Sequence, residues 1–235
     1  MPWKKNITGL DVAGTFRSLK GAADENIFIG RASQAGFFCF FKVWRDMPYD
    51  AVLDYDGVLY RVEVKGSSSD SFNVTRGSRS GKQIVKGAGV SRTRLLDRED
   101  CDFVVCVDSN SGDCYIVPED IVRVADRQNL NKTTLEPFKE KWELFMYDTG
   151  NLQSAGGIAV PSNGMKKEWT RDGFNGFTLS QLDQVIQSVN QSLGLSIPAT
   201  NQLPSSITIP GTKQAISKAE DIAVYKIWTE IAKIF

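Results

Sequence analysis

Asp50, Glu63 and Lys65 are two acids and a base that a single hairpin can bring together. Residues 47–66, MPYDAVLDYDGVLYRVEVKG, read as that hairpin, with Asp56-Gly57 as a two-residue turn of the kind that joins twisted antiparallel strands. The register then sets Tyr55 opposite Val58, Asp54 opposite Leu59, Val52 opposite Arg61 and Asp50 opposite Glu63. Alternation puts Ala51, Leu53 and Tyr55 on one face with Val58, Tyr60, Val62 and Val64. Asp50, Arg61, Glu63 and Lys65 fall on the other. Directly opposed residues have Cβ atoms about 4.5–5.5 Å apart, so the two carboxylates repel each other unless a cation lies between them. Magnesium suits that position, because it needs only one or two protein carboxylates and keeps several waters. The carbonyl of Val64 offers a third oxygen. Lys65 projects beside the acids, where an ammonium can position water or offset charge on a phosphate. A surface hairpin with a solvated charged face has the same composition; the opposed register separates the two readings.

At Pro48-Tyr49-Asp50 and Glu63-Val64-Lys65 the chain resembles the PD-(D/E)XK nuclease superfamily. The resemblance implies metal-dependent phosphodiester hydrolysis with Asp50 and Glu63 as metal ligands, Lys65 assisting water, and magnesium as the cofactor, with manganese able to substitute. It also implies an α/β fold, a restriction-endonuclease-like αβββαβ core with a mixed sheet, spanning roughly residues 22–120. Relatives carry a Glu on a helix ahead of the sheet, and Glu25 is similar in position, as an accessory ligand or water-orienting group. Many also place a polar residue on the helix after the motif, where Gln83 stands. The chain looks most similar to the branch of cyanobacterial and phage homing endonucleases. It departs from part of that branch in having Glu63 where those proteins have Gln.

Composition narrows the chemistry. The chain has no histidine, which excludes Ser-His-Asp hydrolysis and any His-based metal site. Cys39, Cys101, Cys106 and Cys114 contain no C-x-x-C pair, so a structural zinc site is not expected, and they read as reduced core residues. Net charge is zero, but residues 61–98 hold nine basic residues against three acidic ones. A basic stripe beside the hairpin is what a phosphate backbone needs. It nominates Arg61, Arg76, Arg79, Lys82, Lys86, Arg92 and Arg94 for double-stranded DNA. No run has the length of a signal sequence or of a membrane span, so the expected setting is the host cytosol, with its DNA, and no membrane.

The elements that must position these residues follow in order. A helix is expected over 22–36, with Ile27, Ile29, Ala32 and Ala35 inward and Gly36 as its stop. A strand follows over 37–44, then the hairpin, then a long polar loop over 67–81 and a partly helical basic stretch over 82–96. Residues 101–107 read as a buried strand, 113–117 as its return, and 118–125 as a short helix. The expected division is a nuclease core with its lead-in over 1–125 and a partly helical extension over 126–235, for DNA contact or oligomerisation. In that extension helices are expected over 137–146, 178–193 and 219–235, the second opened by a Thr178–Gln181 capping box, with a proline-rich spacer over 197–213.

The reading that follows is a site-specific double-strand endonuclease of homing type, acting as a homodimer or homotetramer because one hairpin cuts one strand. A type II restriction enzyme, a Holliday-junction-type structure-selective nuclease, and a DNA-binding module on an inactive nuclease fold are the alternatives.

Overall fold

The structure is a computed structural model, and it describes residues 15–42, 47–55, 57–77, 93–147 and 173–235. A five-stranded mixed sheet lies at its centre, in the order β1 (Phe38–Phe41), β2 (Ala51–Tyr55), β3 (Val58–Ser67), then the strands Phe103–Asp108 and Cys114–Pro118. The latter two are β7 and β8, because β4 (Ser71–Asn73), β5 (Thr75–Arg76) and β6 (Arg94–Leu95) intervene in the chain. The hairpin has the expected register, from Tyr55↔Val58 to Ala51↔Val62. β1 runs antiparallel to β2, β3 runs parallel to β7, and β8 returns antiparallel. The architecture is mixed α/β. A parallel β3–β7 pair needs a long crossover, and residues 68–102 supply it.

Helix α1 (Thr15–Gln34) starts seven residues before the expected position. Its buried stripe is Asp24, Phe28 and Ala32, spaced by four, whereas Ile27 and Ile29 are half-buried and Ala35 is exposed. The large Phe28 ring decides the rotation, since it stacks with Trp142. Gly36 ends the helix at φ +94°, as a left-handed closing residue, with the Phe37 amide donating to Ala32 O. Phe37, Tyr60, Phe103 and Phe145 continue this aromatic core beneath the sheet.

The polar stretch after the hairpin is not a plain loop. β4 pairs with β9 (Asn129–Asn131), and β5 pairs with β6. The described part of the crossover is therefore stranded, and the helical expectation for 82–96 fails at Arg94–Leu95; residues 78–92 lie outside the described residues. Helix α2 (Glu119–Ala125) follows Pro118 as expected. The expected helix over 137–146 is broken instead. α3 (Lys132–Leu135) runs into a single 3-10 turn at Glu136–Phe138, and α4 is only Leu144–Tyr147. The cause is Glu140, at φ +55°, whose amide donates to Cys114 O at 2.7 Å while its carboxylate accepts from Cys114 N. Docking against β8 overrides helix propensity here.

Two longer helices end the chain, α5 (Leu179–Leu193), with its Thr178–Gln181 capping box, and α6 (Ala219–Ile234). The spacer between them contains a 3-10 turn at Thr200–Gln202 and a short ladder of β10 (Ile207–Thr208) with β11 (Ala215–Ile216). Asp120 ties α6 and the turn before α5 to α2, accepting from Trp228 Nε1 at 3.0 Å and Phe174 N at 3.1 Å. Beside it Glu119 is 1% exposed, and among the described residues neither carboxyl oxygen has a hydrogen-bond partner. Leu130, Phe138 and Phe145 belong to the same buried cluster as the sheet.

Candidate active site

The site forms where β2 begins and β3 approaches its end. Asp50 stands one residue before β2, and its amide donates to Val62 O at 2.9 Å. Its carboxylate folds across β3, so that Oδ2 accepts from Val64 N at 2.9 Å. This fixes Asp50 beside Glu63, whose carboxyl it influences. Asp50 is 7% exposed, and the Glu63 side chain 12%. On the same strand Lys65 Nζ donates to Glu63 Oε1 at 2.6 Å.

A second lysine, absent from the sequence reading, completes the cluster. Lys42 follows β1 directly, its amide donates to Asp50 O at 3.1 Å, and its ammonium is paired with Asp50 Oδ1. The Phe41↔Ala51 register brings it there. Carrying the hairpin ladder back one strand from the sequence would have found it.

Electrostatics follow from this packing. Burial pushes the Glu63 carboxyl up to about 7; Lys65 opposes the rise, and the charge and hydrogen bonding of Asp50 add to it. Burial also raises Glu25, helped by Asp50 and opposed by Lys42 and Lys65. The Lys42 ammonium is depressed by burial, but its hydrogen bond to Asp50 and the fields of Asp50, Glu25 and Glu63 carry it above its ordinary value. Three carboxylates thus share one field with two ammonium groups. A surplus of half-buried acid that holds a proton near neutrality is what a hard cation can displace. Among the described residues no three His, Cys, Asp or Glu side chains converge into a metal cage.

Helix α1 is seated on strand β3 by one glycine. A β-carbon on Gly66, the residue after Lys65, would lie 1.7 Å from Asp24 Oδ2 and 2.6 Å from Asp24 Cβ. Only glycine lets the helix approach this closely. Burial raises the Asp24 carboxyl, against the influence of Ser109 and Lys20.

The expected DNA-contacting residues divide sharply. Arg61 donates from Nε and Nη2 to Asp102, from Nη1 to Glu99 O and from Nη2 to Arg98 O. Arg76 pairs with Asp100 at 3.1 Å, and Arg94 pairs with Asp100 at 2.6 Å and Asp97 at 2.7 Å. These three arginines clasp the base of the crossover, and their fork geometry matches the carboxylates they hold. The basic stretch 61–98 is followed directly by acids. Extended to 102 it adds Glu99, Asp100 and Asp102, leaving nine basic residues against six acidic ones. Arg79, Lys82, Lys86 and Arg92, and with them Gln83, lie outside the described residues.

No protein-family model and no curated protein sequence matches the chain. Among solved structures, the bacterial homing endonuclease I-Ssp6803I is similar, with a TM-score of 0.46 and 22% sequence identity, over 55% of this chain and 92% of that one.

Proposed function

We propose that this chain is a magnesium-dependent endonuclease that cuts double-stranded DNA at specific sites, in the manner of a homing enzyme. The observation that carries the reading is the pairing of Asp50 with Glu63 under two lysines, Lys42 and Lys65. Such a pair costs a fold stability unless its charge is used. Asp50 and Glu63 would hold the cation, with the Val64 carbonyl as a third oxygen and Glu25 as an accessory acid. When bound, the metal polarises the phosphoryl oxygen and acidifies water; manganese would replace it.

The protein's own groups do the rest. Val64 N holds Asp50 in one orientation. The Lys65 ammonium, released from Glu63 as cation and phosphate enter, donates to the attacking water or to a phosphate oxygen. Gln83 is the further candidate for orienting water. Arg79, Lys82, Lys86 and Arg92 stand in a stretch, residues 77–92, that contains no acid, and they are the backbone contacts of this reading. Arg76 and Arg94 flank that stretch in the sequence, and both are held by Asp100. One such site cuts one strand, so a double-strand break calls for two copies.

The test is digestion of a large, sequence-diverse DNA with magnesium or with a chelator. Discrete fragments are expected with magnesium alone, and manganese should support the same cuts. Asp50→Asn and Lys65→Ala should each lose at least about 10³-fold in cleavage and still retard DNA in a gel. Cleavage retained in either variant refutes the site.

A further inference from the structure

We propose that Lys42 is the built-in counter-ion of the site, an ammonium that gives up Asp50 to the incoming cation and then serves as a second phosphate-binding group beside Lys65. The proposal deepens the nuclease reading and rests on it. The two lysines reach the acids by different routes. Lys65 shares strand β3 with Glu63 and donates to its Oε1 at 2.6 Å. Lys42 arrives from the chain just beyond β1; its amide donates to Asp50 O at 3.1 Å, and its ammonium is paired with Asp50 Oδ1. The other carboxylate oxygen of Asp50, Oδ2, accepts from Val64 N at 2.9 Å, a backbone donor fixed in the sheet. Oδ1 is therefore the oxygen that Asp50 can offer a cation, and it is the one that Lys42 holds.

Charge favours an exchange over a shared seat. The fields of Asp50, Glu25 and Glu63 all converge on the Lys42 ammonium. Lys42 and Lys65 together offset two of these three carboxylates. A divalent cation that entered an unmoved cluster would therefore meet two positive groups at close range, and moving one of them outward removes that repulsion. Lys42 is placed to move. Its side chain is 24% exposed on a flexible stem, and it lies at the rim of the sheet, where, among the described residues, no strand pairs with the outer side of β1.

The backbone of Lys42 stays where it is, because its amide bond to Asp50 O and the Phe41↔Ala51 register hold it beside Asp50. The released ammonium thus remains within a side chain's length of the cation's ligands. Under the nuclease reading, the anion that arrives there is a DNA phosphate, and it receives the ammonium. A site arranged this way holds its cation weakly in the free protein and more tightly once DNA is bound, and by linkage the cation tightens the hold on DNA in turn.

Manganese uptake by the full chain without DNA, read from the loss of the free-ion signal in electron paramagnetic resonance, tests the exchange directly. Asp50→Asn sets the background from ions held elsewhere. Lys42→Met should take up manganese at least about tenfold more tightly than wild type, whereas Lys42→Arg, which keeps the charge, should stay near wild type. Cleavage by Lys42→Met, on a duplex carrying a cut mapped in the magnesium digestion, should nonetheless be about 10²-fold slower at saturating manganese. Lys42→Arg should recover most of that rate. Tighter uptake with slower cutting is a combination that a distorted ligand set does not give, and unchanged far-ultraviolet circular dichroism checks that the variants fold. Unchanged or weaker uptake by Lys42→Met, or tighter uptake with cutting at the wild-type rate, would each overturn the proposal and leave the nuclease reading standing. No Asp50-dependent uptake in either wild type or Lys42→Met would remove the nuclease reading, and the role of Lys42 with it.

Discussion

Gly66→Ala adds one methyl group and touches no chemical group of the site, yet its effect should be large. The new carbon would sit 1.7 Å from Asp24 Oδ2, where non-bonded atoms prefer roughly 3.5 Å. Turning the Asp24 carboxylate aside does not suffice, because Asp24 Cβ, fixed by the helix backbone, is itself only 2.6 Å away. Helix α1 or strand β3 must therefore move. Overpacking of this kind costs about 1–3 kcal/mol, and relief on this scale puts Gly66→Ala at the upper end. Removing a glycine from a strand returns about 0.5–1 kcal/mol. The net loss should be about 2 kcal/mol, or a fall of about 4–8 °C in Tm for a chain of this size. Urea denaturation of the two single variants and of Asp24→Gly/Gly66→Ala measures it as a cycle. The double variant should be about 2 kcal/mol more stable than additivity allows, although Asp24→Gly alone weakens the helix by about 1 kcal/mol. Under the proposed function, cleavage by Gly66→Ala should fall up to about 10²-fold, because Glu25 follows Asp24 and Lys65 precedes Gly66. A Gly66→Ala protein within about 0.5 kcal/mol of wild type, or an additive cycle, would refute the close seating of α1.

Two further outcomes concern groups away from the site. Burial, then the neighbouring Asp120, push the Glu119 carboxyl from 4.5 up to about 8, against Arg98 and Arg123, with Asp97 adding to the rise. The folded state then binds an extra proton between those values, so stability should fall as pH climbs from about 4.5 to about 8. Glu119→Gln should flatten that part of the profile and exceed wild type by about 3–5 kcal/mol at pH 9; parallel urea-stability profiles for the two proteins would contradict this. Asp102 is 4% exposed and holds Arg61 through its amide, at 2.7 Å, and its guanidinium, so Asp102→Ala should cost about 2–3 kcal/mol in chemical denaturation. Glu230→Ala, which breaks the exposed pair with Lys233, should stay within about 0.5 kcal/mol, and equal losses in the two variants would count against the clasp.

The hairpin was legible because its signals are local. Asp56-Gly57 sets the turn, alternation sets the faces, and together they place Asp50 by Glu63 without reference to the rest of the chain. The capping box at Thr178 and the stop at Gly36 were legible for the same reason. What escaped depends on partners distant in sequence. Ser71–Asn73 is short, with Phe72 as its single apolar residue, and becomes a strand only because Asn129–Asn131 lies beside it. Trp142 and Phe145 fit a helical stripe, but β8 holds Glu140 in a conformation that no helix admits. Lys42 and the acids at 97–102 were visible as residues, not as neighbours of Asp50 and Arg61. The sequence points Ile27 and Ile29 inward alongside Ala32, whereas Trp142, stacked on Phe28, turns Asp24, Phe28 and Ala32 to the core.

The clasp at the base of the crossover also bears on how such a protein can change over generations. β5 and β6 meet at Thr75↔Leu95 and Arg76↔Arg94, and Asp100 holds both arginines. The 17 residues between Arg76 and Arg94 therefore leave and return at one fixed point. Closing a loop twice as long costs only about 0.6 kcal/mol more. Length and sequence there are free to drift, or to be replaced wholesale, while Asp50, Glu63 and Lys65 keep their positions. Under the proposed function, a lineage built this way could acquire a new target without rebuilding its chemistry.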